Sequence, residues 1–124
     1  MESNSNNNKE DKVVDAEEAL ERLDGDRTLL ELIWQTFIDE ASHKMSELRS
    51  ALDNNDVEVS ERLAHSIKGA AANIGAMSLK TVAFGMEQAA KKADLDTVRS
   101  NLPLLESEFQ KAVNCLLELL KKRD

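Results

Sequence analysis

The sequence predicts an all-α protein: an antiparallel up-down-up-down four-helix bundle with a short additional N-terminal helix. Three observations lead there. Apolar residues recur at helical spacing almost throughout from Val13 onward, with no sustained strict alternation. Only four glycines and one proline are available to interrupt that periodicity. The connections between periodic stretches are short, which makes successive helices antiparallel neighbours. A chain of 124 residues buries roughly two-thirds of its unfolded surface in one domain. With three phenylalanines, one tryptophan and no tyrosine, its core is aliphatic and alanine-rich.

Residues 1 to 11 are rich in Asn, Ser and charge and hold nothing to bury, so they read as a disordered tail or linker remnant ahead of a helical domain over 12–124. A short helix is expected over 15–23, ending at Asp24-Gly25, where glycine supplies a left-handed cap. Thr28 with Glu31 has the form of a capping box and opens a long helix to about Leu52. Its stripe of Leu30, Trp34, Phe37, Ala41, Met45, Leu48 and Leu52 lies on one face. Asn54-Asn55 makes the turn, and Asn55 with Glu58 reads as a second capping box for a helix that runs to Ile74 and is closed by Gly75. Ser78 caps a fourth helix through about Ala93, apolar at Leu79, Val82, Met86, Ala89 and Ala90. Residues 95–101 form a short turn of helix. The last long helix starts near Pro103, a residue favoured at a first helical position, and keeps Leu105, Phe109, Ala112, Leu116 and Leu119 on one side.

Charge and composition narrow the function. Twenty-four acidic against sixteen basic residues give a formal charge of -8, which repels a phosphate backbone, and the scarcity of aromatic rings removes base-stacking platforms. Nucleic acid is therefore not an expected partner. The single cysteine, Cys115, permits no intramolecular disulfide and no Cys-x-x-Cys pairs for structural zinc. It flanks the last helix's stripe and reads as a small buried or half-buried side chain. The opening MESNSNNNKEDK lacks the apolar run of a secretion signal, and no later stretch approaches membrane-spanning length, so the expectation is a cytoplasmic protein without membrane insertion.

The stretch "AHSIKGAAANIGA", residues 64 to 76, carries the chemistry. At about 100° per residue, Leu63, Ile67, Ala70 and Ile74 fall in one sector, the core-facing side, and His65 lies roughly 200° from Leu63. Glu61, Lys68, Gly69, Ala72 and Ala76 share the outward half. A lone helical histidine is ordinarily a packed structural group, but this phase points the ring away from the bundle. His43, beside Lys44 and off its helix's stripe, reads as an idle solvated histidine. For His65 the neighbours say otherwise. Glycine inside a helix costs roughly 0.5 to 1 kcal/mol relative to alanine, so Gly69, one turn after His65, requires an offsetting benefit. The missing side chain opens one flank of the imidazole, Ala72 and Ala76 continue the bare strip, and Lys68 stands nearby as a mobile cation. An exposed imidazole beside an ammonium suits an anion with a tetrahedral centre: the ring nitrogen attacks and lysine offsets charge on the phosphoryl oxygens.

His65-x-x-Lys68-Gly69 followed by Gly75 resembles the signature of histidine-containing phosphotransfer (HPt) domains, the four-helix carriers of bacterial multistep phosphorelays. The similarity runs from about Asp24 to Arg123 and takes in "LLELIWQTFIDEA", the "ALDNND" turn and "DLDTVRSNLPLLESEFQ". It implies that His65 accepts a phosphoryl group from a receiver-domain aspartate and returns it to another, with Lys68 assisting electrostatically and Gly69 leaving room for the receiver. Where several members of that family place a glutamine against the imidazole, this chain has Glu87, with Gln88 next to it. Either one is available for the contact, and Lys91 is a further candidate to balance a carboxylate there. The implied partners are response-regulator receivers, of a hybrid sensor kinase and of a downstream regulator. The implied chain is a monomeric phosphocarrier with no cofactor of its own, magnesium being held by the receiver.

The second helix carries more apolar surface than its stripe needs, at Leu29, Leu32 and Ile33. Folding the hairpin puts residue 65 level with about 44 and residue 76 level with about 33, so the excess lies toward the Gly75 end of the histidine helix. Cover by the short front helix, through Val14, Leu20 and Leu23, accounts for most of it, and the remainder is left for receiver docking. Two other readings stay open from sequence: a helical adaptor in which His65 is incidental, and the phosphoacceptor domain of a chemotaxis-type kinase.

Overall fold

The computed structural model describes residues 13–122, and the expectation for residues 1–11 lies outside them. Five helices follow in order: α1 Ala16–Arg22, α2 Arg27–Asp53, α3 Val57–Ile74, α4 Met77–Lys91 and α5 Leu95–Lys121. The described residues contain no strand.

Helices α2 to α5 form a closed ring in which each packs on the next and α5 returns to α2, while α1 lies across α2 and α3. Cross-helix pairs show the directions. Phe37 stacks on Phe109 with ring centroids 5.3 Å apart, and Arg49 bonds Glu106 at 2.7 Å, so α2 and α5 run antiparallel. The two- and three-residue connections 75–76, 54–56 and 92–94 impose the same relation on the other pairs. The whole predicted α2 stripe is buried, with Trp34 and Leu48 fully so. From α5, Leu105, Phe109, Ala112 and Leu116 meet it, and Leu119 is half-buried at the rim.

Helix starts differ from the sequence expectations, and the cause is the same in two of them. Asp26, not Thr28, caps α2 by accepting from Leu29 N at 3.0 Å, and Asp56, not Asn55, caps α3 by accepting from Val59 N at 3.1 Å. In both, an Asp follows directly on a left-handed residue (Gly25, φ 79; Asn55, φ 53) and so occupies the N-cap position, whereas Thr28 is already inside the helix and Asn55 lies one residue before the cap. Ser78 caps nothing: Gly75 (φ 75) and Ala76 turn the chain so abruptly that α4 begins at Met77, with no side-chain cap.

Residues 95–101 and the helix expected from Pro103 are one continuous helix, α5, with Pro103 inside it. The proline ring removes the N–H that would reach the Arg99 carbonyl. Packing outweighs that loss, because Val98 before the proline and Leu105 after it are both fully buried in the same core. Arg99 ties the same segment to the α2–α3 turn, donating to Leu52 O at 2.8 Å and to Asn55 Oδ1.

Candidate functional site

Helix α3 is held rigidly on its inner side and left open on its outer one. Ser60, Leu63, Ala64, Ile67, Ala71 and Ile74 face the core. The centre of that face is shifted by one residue from the sequence estimate: Ala70 is half-buried and Ala71 fully buried. His65 remains on the opposite side, its side chain 66% exposed.

The imidazole is oriented from α4. Nδ1 of His65 lies 2.9 Å from Oε2 of Glu87, and Nζ of Lys68 lies 2.9 Å from Oε1 of the same carboxylate. Glu87, not Gln88, makes this contact, and it is buried, only 4% exposed. A buried carboxylate requires paired charge. Lys68 foremost, and His65 after it, holds the Glu87 carboxyl below the usual range against the upward push of burial. An ionised Glu87 accepts only, so the proton between the two groups sits on Nδ1, and the free lone pair is on Nε2. Lys68 is therefore not the mobile cation expected from sequence. It is paired with Glu87 and lies over the Phe84 ring, 5.4 Å from its centroid. Lys91 stands 4.0 Å from Glu87 Oε2 with a half-exposed side chain.

On its other flank His65 borders an open groove of about 520 Å³ between α2 and α3. Gly69, Leu32 and Ile33 line it with His65, as do Phe37, Ala70 and Asn73. A Cβ added to Gly69 would meet nothing within 4 Å, so the protein's own packing gives no reason for glycine there. Leu32 is 62% exposed and Leu29 41%, while Ile33 packs half-buried against the core. The front helix thus leaves Leu29 and Leu32 of the patch exposed. It lies across α2 and the end of α3, where Asp15 N donates to Gly75 O at 3.2 Å and Arg22 to Ala72 O at 3.1 Å.

That placement corrects the far end of the expected bare strip. Ala76 lies beyond the last turn of α3 and is buried, 1% exposed, so it is no docking residue. Ala72 is half-buried near α1, and Glu61 is half-buried one turn before His65; neither lines the groove. Sequence reasoning missed Lys44, Glu40 and Thr36, which line the groove from α2, and Phe84, which supports Lys68. The signal for the α2 residues was present in the hairpin register, which sets residue 44 level with 65. His43 is exposed and 3.7 Å from Glu47, away from the groove lining. Cys115 is half-buried, and burial pushes its thiol pKa up, which disfavours the nucleophilic thiolate. Among the described residues no group of three or more His, Cys, Asp or Glu is placed to hold a metal ion, and no helix is long and apolar enough to cross a membrane.

Comparison with known proteins agrees with this architecture. Histidine-containing phosphotransfer protein B from Pseudomonas aeruginosa superposes with a TM-score of 0.84 at 19% identity, over 92% of this chain and 99% of that one. The HPT domain of a sensor hybrid histidine kinase from Shewanella gives 0.80 at 16% identity, over 90% and 97%. A histidine-containing phosphotransfer protein from maize gives 0.76 at 24% identity, over 90% and 92%. No curated protein sequence matches the chain. The family model described as Hpt domain matches residues 32–118, which takes in all of α3 and α4 and most of α2 and α5. The chain belongs to the Hpt domain family.

Proposed function

We propose that the protein is a phosphocarrier in which Nε2 of His65 takes a phosphoryl group from a receiver-domain aspartate and gives it to another receiver. The observation that carries this is the contact between His65 Nδ1 and the buried Glu87 carboxylate, which leaves Nε2 as the free nucleophile on a ring 66% exposed. Family membership supports it, since Hpt domains pass phosphoryl groups to receiver domains in phosphorelays.

The step balances without a base. The Nε2 lone pair forms the N–P bond as the P–O bond to the aspartate breaks, and that electron pair leaves with the carboxylate. The ring keeps its Nδ1 proton and becomes positively charged, and Glu87 faces that new charge at 2.9 Å. Lys68 and Lys91 offset the carboxylate's own repulsion of the phosphoryl group. Gly69 gives the receiver clear approach, and Leu32 and Ile33 offer it an apolar surface along the groove. Magnesium is assigned to the receiver. The carrier has no nucleotide site of its own in this reading and works as a cytoplasmic monomer, a placement supported by the lone cysteine.

Incubation with a phosphorylated receiver is expected to give an acid-labile, alkali-stable label that His65→Gln abolishes and His43→Gln leaves intact. Label retained by His65→Gln defeats the assignment. Receiver binding that survives His65→Gln, with no phosphoryl uptake by the wild type, establishes an adaptor instead.

A further inference from the structure

The phosphocarrier reading leaves a charge unaccounted for. A phosphoryl group on His65 brings about two negative charges to the surface, and the two lysines gathered at Glu87 both stand on one side of the ring. Lys68 sits 2.9 Å from Glu87 Oε1 and Lys91 4.0 Å from Oε2, so both lie on the Nδ1 side of the imidazole, toward α4. The two ring nitrogens point their in-plane bonds in directions more than a right angle apart, so Nε2 faces away from that cluster. The groove that His65 borders lies on the other flank of α3, and its opposite wall is α2.

Lys44 is the cation in that wall. It lines the same groove as His65 and Gly69, and the antiparallel register of α2 and α3 sets it level with His65. Its side chain is only 19% exposed, which for a lysine means that the stem lies along the groove rather than in water. Among the described residues its ammonium pairs with Glu40 alone, one turn earlier on the same helix, at the long distance of 3.6 Å with Glu40 itself 56% exposed. A same-helix pair of this kind is weak and gives way readily to a dianion.

We propose that Lys44 is a phosphoryl-binding residue of this carrier: on phosphorylation its ammonium leaves Glu40 and bonds the phosphoryl oxygens from across the groove, while Lys68 stays with Glu87. The site then has divided labour, with α4 fixing the ring and α2 supplying the charge that receives the anion. This inference rests on the phosphocarrier reading, and its test separates the two.

The probe is phosphoramidate, a small phosphoryl donor that needs no docking surface. Uptake is followed by intact mass and by the 31P resonance of the phosphohistidine, in wild type, Lys44→Met, Lys44→Arg and the remote Lys111→Met. Methionine keeps the stem in the groove and removes only the charge, and circular dichroism melting checks that each variant folds. Lys44→Met is expected to slow uptake by about threefold or more at low salt, with a gap that narrows as salt rises, and to shift the 31P resonance. Lys44→Arg is expected to restore both, and Lys111→Met to behave as wild type. Wild-type uptake at His65 with Lys44→Met equal to it in rate and resonance overturns the role of Lys44 and leaves the carrier reading standing. No uptake by wild type overturns both.

Discussion

Oε2 of Glu87 lies 2.9 Å from Nδ1 of His65, across the seam between α3 and α4, so the tautomer of an exposed ring is set by a buried acid on the neighbouring helix. The same carboxylate anchors Lys68 at 2.9 Å through its other oxygen. One side chain therefore organises both the nucleophile and its nearest cation, and the site's behaviour with pH follows from it.

Lys68 foremost lowers the Glu87 pKa from its ordinary value of 4.5. A carboxyl depressed on folding contributes stability above its unfolded pKa and loses it as pH falls through the folded value. Glu87→Gln is expected to cost about 1 kcal/mol at pH 7, because the amide oxygen still accepts from His65 while the charge that pairs with Lys68 is lost. The difference from wild type narrows as pH drops below 4.5. Urea unfolding of both proteins at pH 7 and pH 3 checks this, and a gap of equal size at both contradicts it.

Gly69→Ala separates stability from function. A Cβ at position 69 meets nothing within 4 Å, and the same holds at Gly85 in the middle of α4. Both alanine variants are expected to gain about 0.5 to 1 kcal/mol from helix propensity. Transfer from a receiver is expected to slow in Gly69→Ala, which gains stability as it loses access. Thermal melts and single-turnover transfer measure the two effects, and undiminished transfer removes steric access as the reason for glycine.

Turn positions respond in opposite senses. At Gly75, φ is 75 and an added Cβ would meet Asp15 O at 3.1 Å, so Gly75→Ala combines left-handed strain with a backbone clash and is expected to cost about 2 kcal/mol or more. Ala93 already occupies the left-handed region, φ 60, without glycine's freedom. Relief of about 1–2 kcal/mol of strain less about 0.4–1 of added unfolded-state entropy leaves Ala93→Gly a net gain of about 0.5–1 kcal/mol. Denaturant midpoints read both.

Leu32 projects from the groove's edge, 62% exposed, and contributes little to the fold. Leu32→Ala is expected to weaken receiver binding about five- to tenfold, the equivalent of about 1 kcal/mol of lost apolar burial, with an unchanged melting temperature. Leu104→Ala, at an exposed position on α5 that does not line the groove, serves as the comparison. Equal binding by both variants rules the α2 end of the groove out as the docking surface.

Long periodic segments were the most legible part of the sequence. Seven stripe residues of α2 are all buried, because large apolar side chains at helical spacing leave no other face for the core. Within α3 the phase was one residue off at Ala70 and Ala71, since methyl groups carry little periodic signal and the packing of α4 decides between them. Boundaries failed where tertiary structure overrode local rules, as at Pro103, whose helix is held by buried Val98 and Leu105 on either side. The site was legible as far as one helix extends. His65 and Gly69 sit where helical phase puts them, whereas the pairing of Lys68 with Glu87, the cover over Ala76 and the position of Lys44 depend on which helices lie alongside.

Phosphotransfer at His65 depends on which imidazole nitrogen is free, and NMR of the 15N-labelled, phosphorylated protein reads it directly. Phosphorus coupled to Nε2 of His65, with Nδ1 still carrying its proton toward Glu87, is the predicted result. Phosphorus on Nδ1, or on any residue other than His65, contradicts it.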